Sequence, residues 1–578
     1  MNRKLAEKLI DVDMGRLEAD YVIRNVRLVN VFSSEIEETD VYVVDGFVAG
    51  FRGSKKARKE IDAKGRYLVP GFIDGHCHIE SSHLSPTAFS DSVVPFGTTT
   101  VIADPHEICN VCGNAAMDYM IKSAANAPLS IYYMYPSCVP ATPFEHAGCT
   151  LLAKDMKEHL AMDQVKGLGE MMNYPGIANH DGFVMDKLEE AWKLGKNIDG
   201  HAPDVHGDGL EAYVASGIST DHECFTPEEL QERTRLGMYV LLRQGTACKN
   251  VLGLLPGVND GNYRRCLFCT DDRQPQTIKQ FGHVSHGINL AIGAGLDPVR
   301  AITMATLNAA ECFRLDDRGA IAPGKRADFF LCDDLKEIKP NEVFILGKKV
   351  AENGRILENA KAVKPEGVSG RMHVANFSEE RLAMHLESDH VRCINIIPGG
   401  VVTGAGEAIV KRDGNGNWVH NPEEDVLKLA VVERHNGLGN IALAPIRGYG
   451  MKNGAVATSI AHDSHNIIVI GSNDHDMAVA VEELIRLGGG ITMVQDGKVI
   501  DSHRLEIAGL MTDENVDDVC QKLEEMHKEA EEYLHVNPEI DPFMTLCFMA
   551  LPVIPEYKLT DMGLFDVRIF DFVPLEID

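Results

Sequence analysis

Two histidines at the end of a predicted buried strand constrain this chain more than any other feature. The segment YLVPGFIDGHCH runs from Tyr67 to His78, with a break at Pro70-Gly71. Residues two positions apart in a strand project from the same face, so His76 and His78 point in the same direction. Two imidazoles on one rigid face supply half of a divalent-metal site. The acidic, Ser-rich loop that follows strengthens the prediction that this strand ends at a metal site.

Apolar strands alternate with helical stretches over the next part of the chain. Helical patterns such as Asp186–Leu194 and Pro227–Leu236 fall between the predicted strands. Eight strand–helix units in roughly 250 residues are typical of a (β/α)8 barrel. After the strand that ends at His78, we predict strands at 97–104, 130–140, 165–174, 196–201, 217–222, 238–243 and 265–271.

The flanks of the barrel carry different patterns. Residues 21–66 alternate as short strands with a hairpin turn at Asp45-Gly46, and β patterns resume at 323–331 and 344–357. We predict an α/β fold: a barrel at 67–319, a small flanking β-sandwich from 1–66 plus 320–362, and a C-terminal α/β domain at 367–578, where strands alternate with helices such as Asp476–Leu487.

Composition and charge restrict the class of protein. The net charge of −30 argues against a nucleic-acid backbone as the main partner. No run approaches ~18 apolar residues, so no membrane span is expected, and the N-terminus lacks an apolar signal core. The 14 cysteines are scattered through a large chain, which indicates reduced thiols. We expect a cytoplasmic enzyme that forms a homo-oligomer, a dimer, without nucleic-acid or membrane partners.

The predicted strand ends carry a set of metal-ligating residues. Active sites of such barrels lie at the C-terminal ends of the strands. Four histidines, a glutamate and an aspartate suit a two-metal hydrolytic centre, since two cations ~3.5–4 Å apart can share a hydroxide. Taken singly, Glu170 could be a structural ion-pair partner and His201 a core histidine. We predict that His76, His78 and Asp271 hold one ion and that His201 and His222 hold the other, with Glu170 bridging.

Several polar residues near these strand ends have two interpretations each. Glu223, next to His222, is a candidate proton donor to a substrate ring, or an acid that pairs with the N-terminus of the next helix. His106 and Glu107, after the second strand, line the substrate pocket or cap the following helix.

Two further polar groups are also open to two interpretations. Asp272 and Arg273 orient substrate or pair with each other. The run His462-Asp463-Ser464-His465-Asn466 closes over the barrel mouth or binds substrate, with His465 as the candidate, or it forms a polar turn before a buried strand.

The cysteine pairs do not match a known zinc deaminase site. Cys109-x-x-Cys112 and Cys266-x-x-Cys269 could be combined into a four-cysteine zinc site, but the gap between them is much longer than zinc ribbons use. The H-x-E with P-C-x-x-C signature of zinc nucleobase deaminases is absent.

The order of motifs resembles a known enzyme family. VPGFIDGHCHIESSHL (69–84), GHAP (200–203), DHE (221–223) and TDD (270–272) resemble the amidohydrolase superfamily. DPHE (104–107), MATLNAAECF (304–313) and the long segment 433–474 are similar to bacterial adenine deaminases, and this resemblance covers nearly the whole chain. It implies hydrolysis of adenine to hypoxanthine and ammonia with a pair of divalent ions, manganese or iron. The family's metal ligands fall on the residues predicted above.

The residues and the resemblance lead to one expected mechanism. Two cations lower the pKa of a bound water, so that hydroxide can attack C6 of the purine at neutral pH. Asp271 would relay the proton of the hydroxide to the leaving amine. We expect manganese, with iron or zinc as alternatives. The alternative function is another nucleobase deaminase or a cyclic amidohydrolase on the same barrel.

Overall fold

A curled sheet of parallel strands forms the centre of the molecule. The structure is a computed structural model that describes residues 1–53 and 55–577. The predicted sixth strand, 217–222, is reduced to two residues, whereas the others lie within a few residues of the predicted positions. The barrel strands are numbered in chain order: Phe72–His78, Thr98–Ala103, Ser130–Tyr135, Val165–Met171, Asn197–Gly200, Thr220–Asp221, Tyr239–Arg243, and Cys266–Cys269 with Asp271–Asp272. The last two segments together count as the eighth strand.

The strand pairing follows the order expected for a (β/α)8 barrel. Strands five to one are neighbours in one parallel sheet, and strands six to eight are neighbours in another. The eighth strand meets the first, because Asp271 pairs with Cys77 and Asp272 with His78. Parallel strands end at the same edge, so their polar C-terminal residues converge there.

Helices surround this sheet, and apolar side chains fill its interior. Ile73, Ile102, Met134 and Leu241 come from four different strands and lie fully or almost fully buried in one cluster, as barrel interiors require. The helices of this region are Pro86–Val93, His106–Cys112, Asn114–Ala124, Ala153–Leu160, Tyr174–Ala178, Gly182–Lys193, Gly207–Ala215, Pro227–Arg235, Val251–Leu254, Pro275–Phe281, Val284–Gly293, Pro298–Thr303 and Ala309–Cys312.

Both flanks of the barrel contribute to a single nine-stranded sheet, which helix Arg3–Asp13 precedes. Tyr67–Pro70 pairs in parallel with Tyr21–Asn30 and antiparallel with Phe329–Cys332. This segment, predicted as the start of the barrel, therefore joins the strands of the two flanks into one hydrogen-bonded sheet. The other strands are Glu35–Val44, Phe47–Gly50, Glu60–Asp62, Pro340–Ile345, Lys348–Glu352 and Arg355–Ile356.

The C-terminal segment is built on a mainly antiparallel sheet. Its eight strands pair antiparallel except for His390–Ile396 with Ile441–Arg447. The expected alternation of strands and helices was wrong here, because hairpins such as Gly490–Gln495 with Lys498–Arg504 connect neighbouring strands directly. The remaining strands of this sheet are Thr403–Ile409, Val426–Val432, Ala455–Thr458 and Ile467–Gly471, and the helices are Asp474–Leu487, Val516–Glu532 and Pro542–Cys547. Smaller pairs and triplets are Lys411–Arg412, Trp418–Val419, Tyr557–Thr560, Gly563–Asp566 and Asp571–Phe572.

The C-terminal segment packs directly on the barrel. Thr512 exchanges backbone hydrogen bonds with the loop after the first barrel strand, donating to His83 and accepting from Ser85, both at 2.8 Å. Apolar side chains of the two regions share one continuous core, in which Leu84 and Met511 are both fully buried. Across the part of the chain that the structure describes, no helix combines the length and apolar character needed to cross a membrane.

Candidate active site

The first two histidines turn their Nε2 atoms towards each other. His76 Nδ1 donates to Asp199 Oδ2 at 2.8 Å, and His78 Nδ1 donates to the backbone oxygen of Asp104 at 2.9 Å. A carbonyl oxygen can only accept, and an ionised carboxylate likewise, so each neutral ring carries its proton on Nδ1. The two Nε2 lone pairs then face each other at 3.2 Å. Lone pairs at this separation repel unless a cation lies between them.

Asp271 completes the first group of ligand atoms. Its Oδ1 lies 3.0 Å from His78 Nε2 and 3.7 Å from His76 Nε2. The three side chains are buried, which removes the water that would otherwise screen the carboxylate. Two imidazole nitrogens and one carboxylate oxygen in this arrangement fit a divalent cation.

A second group of ligand atoms lies next to the first. Glu170 Oε2 is 3.1 Å from His201 Nδ1 and 3.0 Å from His222 Nε2, and these two nitrogens are 3.2 Å apart. The ring of His222 stacks on that of His76 with centroids 4.1 Å apart. The predicted ligands of the second ion therefore converge as a unit beside those of the first.

Glu170 lies between the two groups. Its carboxylate oxygens are 3.8 Å from His78 Nε2 and 3.9 Å from His76 Nε2, in addition to the contacts with His201 and His222. Burial alone would raise the pKa of Glu170, but the surrounding histidines lower it well below its usual value. The side chain is therefore an anion in the position that a bridging ligand would occupy.

The backbone next to Glu170 is held by a buried aspartate. Asp104 Oδ2 accepts from the backbone nitrogen of Glu170 at 2.9 Å. A Cβ on Gly169 would lie 2.2 Å from the same oxygen, so this approach requires glycine at that position. The fourth strand is thus fixed where Glu170 faces the other ligands.

Comparison with known proteins identifies the family. The sequence profile of the Amidohydrolase family matches residues 67–357, and that of the Adenine deaminase C-terminal domain matches residues 401–571. The chain is 50% identical over 576 residues to "Adenine deaminase 2" of Desulfotalea psychrophila, with 100% of each chain covered. It is 46% identical over 578 residues to "Adenine deaminase" of Ligilactobacillus salivarius, again with 100% of each covered. The chain belongs to the adenine deaminase family.

Family membership confirms the resemblance seen in the sequence motifs. The profile matches leave residues 1–66, 358–400 and 572–578 outside, whereas the relatives align from end to end. Amidohydrolases depend on metal ions, and the two groups of imidazole and carboxylate donors are candidate sites for such ions in this adenine deaminase family member.

Glu223 has a partner that the sequence did not suggest. Arg243 Nη2 donates to Glu223 Oε2 at 2.9 Å, Nη1 binds the other oxygen, and the same Nη1 donates to Asp271 Oδ2 at 2.6 Å. Both oxygens of Glu223 are therefore engaged by one guanidinium. Arg243 accounts for the buried carboxylate of Glu223 without either of the predicted partners, a substrate ring or a helix N-terminus. This pairing speaks against Glu223 as a ring donor.

Asp272 and Arg273 do not pair with each other as expected. Asp272 accepts from the hydroxyl of Ser81, whereas Arg273 donates to the backbone oxygens of Gln244 and Gly282. Successive strand residues point to opposite faces, so the two side chains leave the strand in different directions. Asp272 remains at the barrel mouth, where a substrate can reach it.

His106 and Glu107 connect the ligand groups to the C-terminal segment. His106 Nδ1 lies 3.4 Å from Glu170 Oε1, and its Nε2 lies 3.6 Å from Glu107 Oε1. Glu107 in turn binds His462 and His465. The predicted polar run at 462–466 therefore lies at the barrel mouth, as one of its two interpretations required.

Two important residues were missed in the sequence. Asp199, which orients His76, lies two positions before His201 on the fifth strand, so strand periodicity alone places both on one face. Arg243 ends the seventh strand, one of the strands to which the prediction assigns no site residue. The position of Arg243 at a strand end could have identified it, since polar residues at the C-terminal ends of barrel strands are candidates for the active site.

Proposed function

We propose that this protein hydrolyses adenine to hypoxanthine and ammonia with two divalent cations at the barrel mouth. The observation that carries the proposal is the pair of facing Nε2 lone pairs of His76 and His78, 3.2 Å apart, in a full-length adenine deaminase relative. Manganese is the preferred metal, and iron or zinc are alternatives, because imidazole and carboxylate donors suit all three.

Each group of ligand atoms would hold one ion. When bound, the cations lower the pKa of water towards ~7 and stabilise negative charge on the attacked carbon's substituents. His76, His78 and Asp271 are the proposed ligands of one ion, and His201 and His222 those of the other, with Glu170 between them. Asp199 and the backbone oxygen of Asp104 keep the first two histidines in the tautomer that ligation needs.

Asp271 is the proposed proton carrier. Its Oδ1 faces the ligand group, and its Oδ2 keeps a free lone pair beside the bond from Arg243. The group can accept the proton that water loses as oxygen attacks C6, and can then give it to the leaving amine, so that ammonia departs neutral. Burial would raise the pKa of Asp271, but the charge of the Arg243 guanidinium lowers it well below its usual range, so the carboxylate holds a proton only in passing.

Arg243 and Glu223 act together as a support. Nη1 of the guanidinium donates to both carboxylates, and Glu223 also accepts from Nη2. This assignment replaces proton donation by Glu223. His106, Glu107, Asp272 and His465 remain the proposed residues around the substrate.

One assay tests the function against its alternative. Protein loaded with manganese is incubated with a panel of purines, pyrimidines and cyclic amides, and ammonia release is measured. We expect turnover of adenine well above that of any other compound. Preferred turnover of cytosine, guanine or a cyclic amide would instead support the alternative, another nucleobase deaminase or cyclic amidohydrolase. The predicted dimer is tested separately, by sedimentation of the same preparation.

A further inference from the structure

Glu107 is a buried barrel carboxylate whose closest partners come from the C-terminal segment. It lies in the helix His106–Cys112, which follows the second barrel strand. His462 Nδ1 donates to Glu107 Oε1 at 2.5 Å, and His465 Nε2 binds Oε2. Both histidines belong to the loop between the strands Ala455–Thr458 and Ile467–Gly471. Burial would raise the pKa of Glu107, but the positive charge of His462 and its hydrogen bond lower it well below its usual value.

The tautomer of His465 shows that this group is not a metal site. The backbone nitrogen of Ala461 donates to His465 Nδ1 at 3.2 Å, so Nδ1 carries a lone pair and Nε2 carries the proton. His465 Nε2 therefore donates to Glu107 and has no lone pair to offer a cation. Burial also lowers the pKa of His465 to about 4, which keeps the ring neutral. His465 serves to hold Glu107 in place.

His462 is fixed on three sides and free on the fourth. Its ring stacks on Phe548 with centroids 4.5 Å apart and planes at 21°, and its backbone nitrogen donates to Cys547 O at 3.0 Å. Nδ1 is taken by Glu107. Nε2 has no hydrogen-bond partner among residues 1–53 and 55–577, although a rigid, oriented imidazole is costly to leave half satisfied.

A cavity at the barrel mouth lies against this ring. It has a volume of ≈ 30 Å³ and is lined on the barrel side by Ser81, Thr246 and Asp272, and on the other side by His462 and Phe548. Asp272 follows the proposed ligand Asp271 in the chain, so the cavity lies at the same strand end as this ligand, although none of the proposed ligands lines it. It holds about two waters, so binding of a purine beside His462 requires the loop that carries this residue to move outward.

The charge of His462 suits a donor to a ring nitrogen. Burial would lower its pKa, but the carboxylate of Glu107 raises it to about 9. At neutral pH both ring nitrogens then carry protons, and Nε2 can only donate. The ring nitrogens of adenine that carry no hydrogen are acceptors, and Phe548 adds an aromatic face beside them.

We infer that the C-terminal segment supplies a substrate-binding residue to the barrel: His462 donates a hydrogen bond from Nε2 to an unprotonated ring nitrogen of adenine. Glu107 and His465 are positioning residues for this imidazole. The inference rests on the proposed function, which names the substrate. It assigns the C-terminal segment a direct part in substrate recognition. If His462 only stabilised the contact between the C-terminal segment and the barrel, its Nε2 would not need to be left without a partner.

Binding of deazaadenines tests the inference without requiring turnover. The affinities of adenine and of 1-, 3- and 7-deazaadenine are measured by calorimetry for chelator-treated wild type, His462→Ala and His462→Gln, because metal-free protein should bind adenine without hydrolysing it. Replacing a ring nitrogen by C–H removes one acceptor at a time. A glutamine amide can place an N–H near the position of Nε2, so it tests rescue of the donor. His475→Ala, an exposed histidine of the same segment, is the control.

We expect one deazaadenine to bind wild type about tenfold to a hundredfold more weakly than adenine, as loss of a bond from a charged donor implies. His462→Ala should bind adenine more weakly than wild type by the same factor, and it should bind that deazaadenine as tightly as it binds adenine. His462→Gln should retain part of the wild-type preference for adenine over that deazaadenine. His475→Ala should match wild type.

The inference would be overturned if wild type and His462→Ala lost the same factor in affinity on going from adenine to the deazaadenine. It would also be overturned if wild type bound all the deazaadenines as tightly as adenine. Unchanged metal content and thermal midpoint show that each variant is folded. Ammonia release from adenine by wild type is recorded in parallel, so that failure of the deaminase function is seen independently of the role of His462.

Discussion

Arg243 Nη1 donates to Asp271 Oδ2 at 2.6 Å, and this bond fixes which oxygen of the aspartate faces the ligand histidines. Oδ1 is left 3.0 Å from His78 Nε2. Because the same guanidinium also binds Glu223, three strand ends are tied together behind the proposed metal site. The consequences can be tested one residue at a time.

Asp271→Asn should reduce kcat by at least about a hundredfold, because it removes the base and general acid–base catalysis contributes about 10²–10⁴-fold. The amide should also turn its oxygen to Arg243 and its NH₂ to His78, which weakens metal binding. Adenine binding should change much less, since a loss confined to the transition state appears in kcat. The measurement is kcat, KM and metal content. Asp272→Asn is the control and should cost far less. If Asp272→Asn were inactive and Asp271→Asn active, Asp272 and not Asp271 would be the proton carrier.

Arg243→Gln should destabilise the fold by about 3–5 kcal/mol, because it leaves two buried carboxylates without their cation. Lysine should not restore the protein, since its single ammonium cannot span both acids. Denaturant unfolding of metal-loaded protein measures the free-energy difference. Arg264→Gln is the control: its ion pair with Glu311 is partly exposed and should contribute less than about 1 kcal/mol. Equal losses in both variants would contradict the supporting role of Arg243.

Glu170→Gln should lower the metal content and nearly eliminate turnover. A carboxylate neutralises charge between two cations, and an amide of the same shape does not. Metal analysis of purified protein and the rate of ammonia release are the measurements. Glu228→Gln, on an exposed glutamate, should retain both properties. If Glu170→Gln keeps two tightly bound ions and near-normal turnover, Glu170 is not the bridge.

Removal of metal should abolish activity, and manganese should restore it at about two ions per chain. The two groups of imidazole and carboxylate donors are the reason, since each matches the ligand set of a divalent ion. Titration of chelator-treated protein with Mn²⁺ gives the stoichiometry, and Fe²⁺ and Zn²⁺ provide the comparison. Full activity of a metal-free preparation is the outcome that would exclude this mechanism.

Lys558 should make stability depend on pH in the alkaline range. Burial lowers its pKa to about 7 from the usual 10.5, and its Nζ donates to the backbone oxygens of Val401 and Phe548 at 3.0 Å. Between these two pKa values the unfolded chain binds a proton that the folded chain does not. Stability should therefore rise with pH in this window, by up to about 1.4 kcal/mol per pH unit, and stay level below it.

The pH effect is measured as the difference between wild type and Lys558→Met in denaturant unfolding at several pH values from 7 to about 10. Methionine has similar length and no charge, so the rising component should vanish. Lys498→Met, on an exposed lysine, should leave the pH dependence of wild type unchanged. A rise that persists in Lys558→Met would show that another group causes it.

Much of the barrel and its ligand groups could be predicted from the sequence. Strand periodicity decides the face on which a residue lies, and the C-terminal ends of parallel strands meet at one edge. His76 and His78 follow from the first rule, and their meeting with Asp271 follows from the second. The single sheet of the flanks and the antiparallel C-terminal sheet could not be predicted, because pairing between distant strands depends on neighbours that a local pattern does not name.

What the sequence by itself determined is the set of side chains that each strand delivers to the barrel mouth, because local backbone geometry fixes their direction. What only the tertiary structure decided is which of them touch. Glu223 binds Arg243 and not a helix end, and Glu107 binds His462, 355 residues further along the chain. The physical reason is that a buried charge needs a partner in the folded chain. Which partner lies nearest depends on how distant regions pack against each other, and the spacing of residues along the chain does not predict that packing.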